Sequence, residues 1–283
     1  MDHTNTHLVS IITPSYNQAR FLEQTITSVL NQDYPRIEYI VIDGNSSDGS
    51  VDIIRKFESH LAYWVSEIDR GQVDALQKGF KRATGDILCW LNSDDIYLST
   101  TVIRRVVELF EIYPQTQVIS GGGMIIDERN KWLRKVQAEP TLASYKNLRY
   151  RSFILQPATF FRRTVLDTVP LDPSLHYAFD WDFWIRLAKE YNLLVVDEPW
   201  AGYRWWGENK TASGSSKRTR EQVEVIRRYL GKSSWQYWGM RVFYAIYRFA
   251  EILPHGLERR VKSITHKLSL GISKLTRKHI PVA

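Results

Sequence analysis

Four short segments carry side chains able to do chemistry: Thr13-Pro14-Ser15-Tyr16-Asn17, Asp43-Gly44-Asn45-Ser46-Ser47-Asp48, Glu67-Ile68-Asp69 and Asn92-Ser93-Asp94-Asp95. Phosphates repel carboxylates, so Asp94 and Asp95 beside a diphosphate call for a divalent cation between them. Mg²⁺ or Mn²⁺ is held by one or two carboxylates plus substrate phosphate oxygens, with no all-protein cage needed. Such a cation offsets charge developing on a leaving diphosphate. Asp43 and Asp48 suit a different task, accepting hydrogen bonds from a base or ribose. Further along, Phe179-Asp180-Trp181-Asp182 brings two more carboxylates just ahead of a helical pattern.

The elements that must position these groups follow from hydrophobic periodicity. Residues 8–13, 38–43, 63–66 and 87–91 form short β-branched or apolar runs and predict buried strands. Between them Phe21 to Leu30, Ser50 to Phe57 and Val73 to Arg82 carry apolar residues at helical spacing, and Thr101 to Phe110 follows as a further helix. This alternation builds βαβ units and an α/β fold, a mostly parallel sheet with helices on both faces. Ligands of such sheets sit at the carboxyl ends of the strands, and here all four ends are polar. Beyond Gly121 the pattern changes. Strand-like pieces at 124–126 and 158–161 precede a helix bearing Trp184, Leu187 and Ala188, and from Lys217 the chain reads as helical, basic and aromatic.

Taken in order and at their spacing, these segments resemble the successive motifs of family 2 glycosyltransferases, with Asp69-Arg70-Gly71-Gln72-Val73-Asp74 through Lys78-Gly79 as a further block. The resemblance covers roughly residues 8–211. It implies a GT-A (Rossmann-like) fold, an inverting mechanism and a nucleotide-diphosphate sugar donor, often uridine-linked (UDP). Carried over position by position, Pro14, Tyr16 and Asn17 line the nucleotide pocket. Asp43 contacts the base, with Ser46 and Asp48 nearby, and Asp74 approaches base or ribose with Lys78 orienting its helix. Asn92 and Ser93 lie against the donor, Asp94 ligates the metal and Asp95 supports it. Asp180 aligns with the general base and Asp182 is the reserve; Gln156-Pro157-Ala158 resembles the strand shaping the acceptor side. Three positions depart from the family pattern: Asn92 replaces an acid, Phe179 replaces another, and Trp206 stands where a metal-binding His is frequent. Ala201 occupies the Gln position of the processive polymerases' Gln-x-x-Arg-Trp element, which favours single addition.

Simpler roles compete at several positions. Asp48 before Gly49-Ser50 fits a turn and helix cap, Asp74 complements a helix dipole, and Asp95 caps the next helix. Lys78 fits an exposed helical lysine, and Asp180 and Asp182 fit a helix entrance packing Trp181 and Trp184. A nucleotidyltransferase would want a Gly-rich basic loop after the first strand, which Ser15-Tyr16-Asn17-Gln18-Ala19 is not. A non-catalytic nucleotide-sugar binder with a decayed metal site is the rival from another class.

Charge divides the chain. The net charge is +7, yet residues 204–283 hold 17 Lys and Arg against 5 Asp and Glu, while the first 203 hold 21 against 26. This predicts a catalytic domain over residues 1–215 (donor half 8–120, acceptor half 121–215) and a basic amphipathic helical tail over 216–283. Trp238, Val242, Phe243, Ile246, Phe249 and Leu253 share one helical face; Leu257, Val261, Ile264, Leu268 and Leu275 form a second stripe among Arg259, Arg260, Lys262, Lys267, Lys274 and Lys278. Basic helices with such faces suit an anionic membrane surface, and packing on the domain or on another subunit is the alternative. The implied acceptor is a saccharide or lipid-linked precursor. Nucleic acid is not expected as a partner, because no recognition motif accompanies the charge. No run reaches the ~18–20 apolar residues of a membrane span, the N-terminus lacks an apolar signal core, and Cys89 sits in an apolar stretch. A cytoplasmic protein, peripheral on the inner membrane face, is expected.

Overall fold

The computed structural model describes residues 7–140, 143–207, 209–210, 216–254, 256–258, 260–262 and 264–265. Leu268, Leu275, Lys267, Lys274 and Lys278 of the second stripe lie outside the described residues, as does Arg259.

The first half alternates as its periodicity predicts: β1 (Val9–Ser15), α1 (Ala19–Leu30), β2 (Ile37–Asp43), α2 (Ser50–Lys56), β3 (Tyr63–Ser66), α3 (Gln72–Arg82), β4 (Ile87–Trp90), β5 (Ile96–Tyr97) and α4 (Val102–Ile112). The second half is less regular: β6 (Val118–Ile126), β7 (Trp132–Val136), α5 (Tyr145–Leu148), β8 (Thr159–Arg162), α6 (Val165–Thr168), α7 (Phe179–Glu190), β9 (Leu193–Arg204), α8 (Ser216–Leu230) and α9 (Trp235–Ala250). One sheet runs β3-β2-β1-β4-β8-β6-β9-β5, with β7 paired to β6. β1 to β4 are mutually parallel, β8 enters antiparallel to β4 and β6, and β9 runs parallel to β6. Six of the nine described strands therefore point one way, and β5, β7 and β8 point the other.

Alternate side chains of the central strands enter two cores, while β7 stays exposed. On one face Ile12, Ile40, Leu88 and Phe161 pack with Leu76 and Phe80 of α3, Phe183 and Trp184 of α7, and Val225 and Ile226 of α8. On the other, Val9, Ile11, Val41 and Phe160 pack with Leu22 and Ile26 of α1 and Val106 and Phe110 of α4. Burial on both faces explains why the strand sequences read as nearly continuous apolar runs. Trp90 stacks on Trp184 with centroids 5.4 Å apart, joining β4 to α7. Cys89 is wholly buried, and burial pushes its thiol up to about 12, so it acts as packing.

Sequence patterning misses β9, whose Asp197-Glu198-Pro199 breaks the apolar pattern, and treats Gly121-Gly122-Gly123 as a boundary when it lies inside β6. A side chain at Gly121 would run into the Trp200 ring, and one at Gly123 into the Ala201 carbonyl. Glycine lets β6 and β9 come together, and this brings Arg204 of β9 under the end of β4. α8 joins the core of the main body through Val225 and Ile226, although the sequence places it at the start of the tail. Among the described residues no helix is long and apolar enough to cross a membrane.

Candidate active site

The polar strand ends converge on one cleft of about 810 Å³. At one end β1 delivers Pro14 and Tyr16, and β2 delivers Gly44. Tyr16 is 63% exposed, and its ring lies against Gly44, which also faces the Asp69 carboxylate. A Cβ at Gly44 would sit 2.7 Å from Asp69 Oδ2, so the missing side chain leaves a slot between an aromatic ring and a carboxylate. Asp69 is held in turn by the Gly71 amide, which donates to its Oδ1 at 2.7 Å.

Several acidic candidates serve the loops rather than line the cleft. Asp43 is fully buried and accepts from Ser46 N (2.9 Å), Ser46 Oγ (2.6 Å) and Ser66 Oγ (2.7 Å). Ser46 Oγ accepts from Asn17 N, while Asn17 Oδ1 accepts from Ser47 N. Asn17 has φ +51°, a left-handed conformation that asparagine tolerates. Asp48 accepts from Ala19 N at the start of α1 and from Ser50 N and Oγ at the start of α2. These bonds hold its carboxyl below the ordinary value against the opposing effect of burial. Asp74 accepts from Arg70, and Lys78 pairs with Glu67 at 2.8 Å and Asp74 at 3.5 Å. Asn17, Asp43, Ser46, Asp48, Asp74 and Lys78 thus build the walls behind the cleft, and Pro14, Tyr16, Asn92, Ser93, Asp94 and Asp180 line it.

At the end of β4, the adjacent aspartates point different ways. Asp95 is fully buried and accepts from Arg204 N (2.9 Å) and Asn92 Nδ2 (3.2 Å). Burial, then the neighbouring Asp94, pushes its carboxyl well above the usual range. Arg204 is itself buried, donating Nε to the Asp94 carbonyl (2.7 Å) and Nη1 to Asp127 O and Asn130 Oδ1. Asp94 opens into the cleft. Its Oδ2 accepts from Trp206 Nε1 at 3.0 Å, and burial raises its carboxyl above the usual value. The indole replaces a potential metal ligand with an N–H donor, and its ring packs edge-on against Phe21.

Asn92 forms a hub. Its Nδ2 donates to Gln156 Oε1 (2.9 Å) as well as to Asp95, and its Oδ1 accepts from Gln72 Nε2 (2.7 Å). Gln72 Oε1 then accepts from Lys210 Nζ (2.9 Å), which also donates to the His176 carbonyl (3.0 Å). Burial lowers the Lys210 ammonium below its ordinary value. Gln72 and Lys210 were not legible as site residues, because Gln72 reaches Asn92 from another element 20 residues away and Lys210 joins them from 138 residues beyond Gln72. The change from acid to amide at position 92 was the available signal: an amide both donates and accepts, and so can link a carboxylate to a lysine through one glutamine.

The second acidic pair behaves like the first. Asp180 opens into the cleft at the first turn of α7, and its Oδ1 accepts from Trp181 N at 2.7 Å. Protein atoms crowd the carboxyl although solvent still reaches part of the residue. This desolvation pushes it up to about 6, with Lys210 and Arg218 opposing the shift. Asp182 faces away, 1% exposed, accepting from Arg186 Nε and Tyr229 OH at 2.7 Å each. α8 also supplies Glu221, whose carboxylate accepts from the His176, Tyr177 and Ala178 amides at the entrance to α7. Helix α8 therefore fixes both ends of the first turn carrying Asp180, a role the sequence did not reveal.

A family model described as glycosyl transferase family 2 matches residues 10–169. The chain belongs to glycosyl transferase family 2. An uncharacterized glycosyltransferase of Mycobacterium tuberculosis is 33% identical over 199 residues, covering 69% of this chain and 72% of the relative. One from Nostoc is 27% identical over 246 residues, covering 78% and 74%. Among solved structures, S. aureus TarS 1-349 in complex with UDP-GlcNAc superposes with a TM-score of 0.64 at 16% identity, covering 91% of this chain and 79% of that one. The mannosyltransferase PcManGT from Pyrobaculum calidifontis, in complex with GDP-Man and Mn²⁺, gives 0.62 at 18% identity, covering 94% and 76%. The fold of this family 2 glycosyltransferase is thus GT-A, with a C-terminal helical region. Among the described residues, no cluster of three or more His, Cys, Asp or Glu is placed to hold a metal ion.

Proposed function

We propose that the protein is an inverting glycosyltransferase that moves a sugar from a nucleotide-diphosphate donor, UDP-linked, onto an acceptor hydroxyl. The observation carrying this reading is that Asp94 and Asp180 face one cleft, each with its charged form disfavoured by burial. A carboxylate short of compensating charge is suited to receive a cation at one position and a proton at the other.

The Tyr16–Gly44–Asp69 slot takes the base, with Asp43, Ser46, Asp48 and Asn17 holding its loops and Asp74 and Lys78 bracing α3. Asp94 would hold a divalent metal, Mn²⁺ or Mg²⁺, together with the donor's phosphate oxygens, a donor set that suffices for such hard cations. Bound there, the metal would offset charge on the departing diphosphate. Asp95 anchors the turn, and Asn92 and Ser93 shape it. Lys210 adds positive charge on the same wall. Asp180 accepts the acceptor proton as the hydroxyl attacks the anomeric carbon from the face opposite the leaving group. Asp182 holds α7 in place. The acceptor is a saccharide, lipid-linked or a polysaccharide precursor, and the C-terminal helices attach the protein peripherally to the inner face of the membrane.

Donor binding without turnover is the second reading. Trp206 favours it, because its N–H takes one oxygen of Asp94. The two separate in one assay: release of free nucleotide diphosphate from UDP-, GDP- and dTDP-sugars, with Mn²⁺, Mg²⁺ or EDTA and a membrane lipid extract as acceptor. Metal- and acceptor-dependent release from one donor, lost in Asp94→Ala and Asp180→Ala, is expected. Donor binding in calorimetry with no release under any condition would sink the transferase reading.

A further inference from the structure

Helix α9 has two unlike faces. Tyr237, Tyr247 and Ala250 are buried and Met240 packs on the core, whereas Trp235, Trp238, Val242, Phe249 and Ile252 are 60%, 56%, 59%, 57% and 77% exposed. The exposed residues follow one another at helical spacing and form a single outward stripe. Exposed Arg241 and Arg248 flank it on one side, and the Arg241 guanidinium lies 5.4 Å from the Trp238 ring. The helix contains no acidic residue. The carboxylate that follows, Glu251, turns inward to accept from Ser216 N (2.8 Å) and Oγ (2.7 Å) at the start of α8.

Three physical points select the occupant of this face. Indole rings and aliphatic side chains beside arginine suit the boundary between lipid tails and anionic headgroups. Sixteen helical residues reach about 24 Å, short of the ~30 Å hydrocarbon core, so the helix lies along the surface. A symmetric contact with a second copy would instead gather Arg241 and Arg248 of both chains against Glu251, which lies 3.9 Å from Arg248 but is already taken up by Ser216. The tie from Glu251 to Ser216 also sets the orientation. The next residue, Lys217, lines the cleft, and Arg218 lies close enough to bias Asp180.

We infer that the outward face of α9 docks on an anionic bilayer and holds the cleft mouth beside the headgroup layer, where a lipid-carried acceptor sugar is met. The docking surface deepens the membrane attachment proposed above, and the acceptor part rests on the transferase reading.

The test is co-sedimentation of the full chain with phosphatidylcholine vesicles, with and without phosphatidylglycerol, over a salt series. Binding is expected to need the anionic lipid and to weaken with salt. Trp238→Ser with Phe249→Ser should lower it about tenfold or more, and Arg241→Gln with Arg248→Gln about tenfold at low salt. All four side chains are exposed, so melting temperature should hold. Binding that ignores lipid charge, or that survives both double substitutions, overturns the inference. So does a dimer in sedimentation velocity that Trp238→Ser with Phe249→Ser dissociates, which would make a second copy the occupant. Donor binding by calorimetry on the same samples separates the readings. Vesicle binding lost with donor binding intact defeats the surface alone, and the reverse defeats the transferase reading alone.

Discussion

The end of β4 and the start of α7 each present two aspartates to the same region, and in each pair only one enters the cleft. Asp94 and Asp180 open into it with charge that their surroundings poorly compensate. Asp95 and Asp182 turn back into the protein, but they are satisfied differently. Asp95 accepts from a backbone amide and an asparagine, both neutral, and burial with Asp94 alongside favours its proton. Asp182 accepts from the Arg186 guanidinium and the Tyr229 hydroxyl, with Arg228 3.5 Å away. The difference teaches that a carboxylate facing the cleft can be supported in two ways: by a neighbour that shares its electrostatic predicament, or by one that locks its helix to another.

Removing the outward member of the α7 pair should have the largest effect. Asp180→Asn is expected to lower transfer about 10²–10⁴-fold, the range for loss of a general base. Stability should move the other way. A carboxyl whose folded value is raised to about 6 costs folding energy once pH exceeds its unfolded value. Stability is therefore lost as pH rises from about 4 through 6, and the neutral amide should regain about 1–3 kcal/mol at pH 7. Thermal melts of both proteins at pH 5 and pH 7.5 check the sign; destabilisation at pH 7.5 would break the assignment. In the parent, the same raised value places the acid limb of the rate profile near pH 6, with about a tenfold fall per unit below it.

Asp94→Asn tests the β4 pair. Metal-dependent enhancement of donor binding should disappear and transfer should fall by about 10²-fold or more, while melting changes little. Calorimetry of donor binding with Mn²⁺ and with EDTA reads this directly, and an unchanged Mn²⁺ effect would remove Asp94 from the metal site.

The inward members sharpen the contrast. Asp182→Asn breaks a largely buried ion pair and should cost about 2–4 kcal/mol, discounted because Arg186 and Arg228 keep some solvent. Asp95→Asn should cost less than about 1 kcal/mol, because burial already favours the neutral form. Denaturant melts that ranked them the other way would refute the comparison. The smallest effect is expected from Glu221→Gln, which weakens the cap on α7: about a 3–10-fold loss of kcat with donor KM unchanged. A matched loss in donor binding would show a wider collapse instead.

Much of the first half was legible because its signals are local. Strands buried on both faces read as apolar runs, and the polar segment after each marks a carboxyl end. β9 was hidden by Asp197-Glu198-Pro199, and the glycines of β6 looked like a boundary because their use lies in the partner strand. Asp48 reads as either ligand or cap in sequence, and only its bonds to Ala19 and Ser50 place it behind the cleft.

The sequence by itself determined the family, the order of the polar strand ends and the identity of both aspartate pairs, since these depend on residue type and short-range period. Tertiary structure set the surroundings of each pair, leaving Asp94 and Asp180 facing the cleft and turning Asp95 and Asp182 inward. The deciding partners stand far along the chain: Arg204 is 109 residues from Asp95, Trp206 is 112 from Asp94, and Tyr229 is 47 from Asp182. Two adjacent carboxylates are chemically alike until folding gives one of them hydrogen bonds and leaves the other facing the cleft.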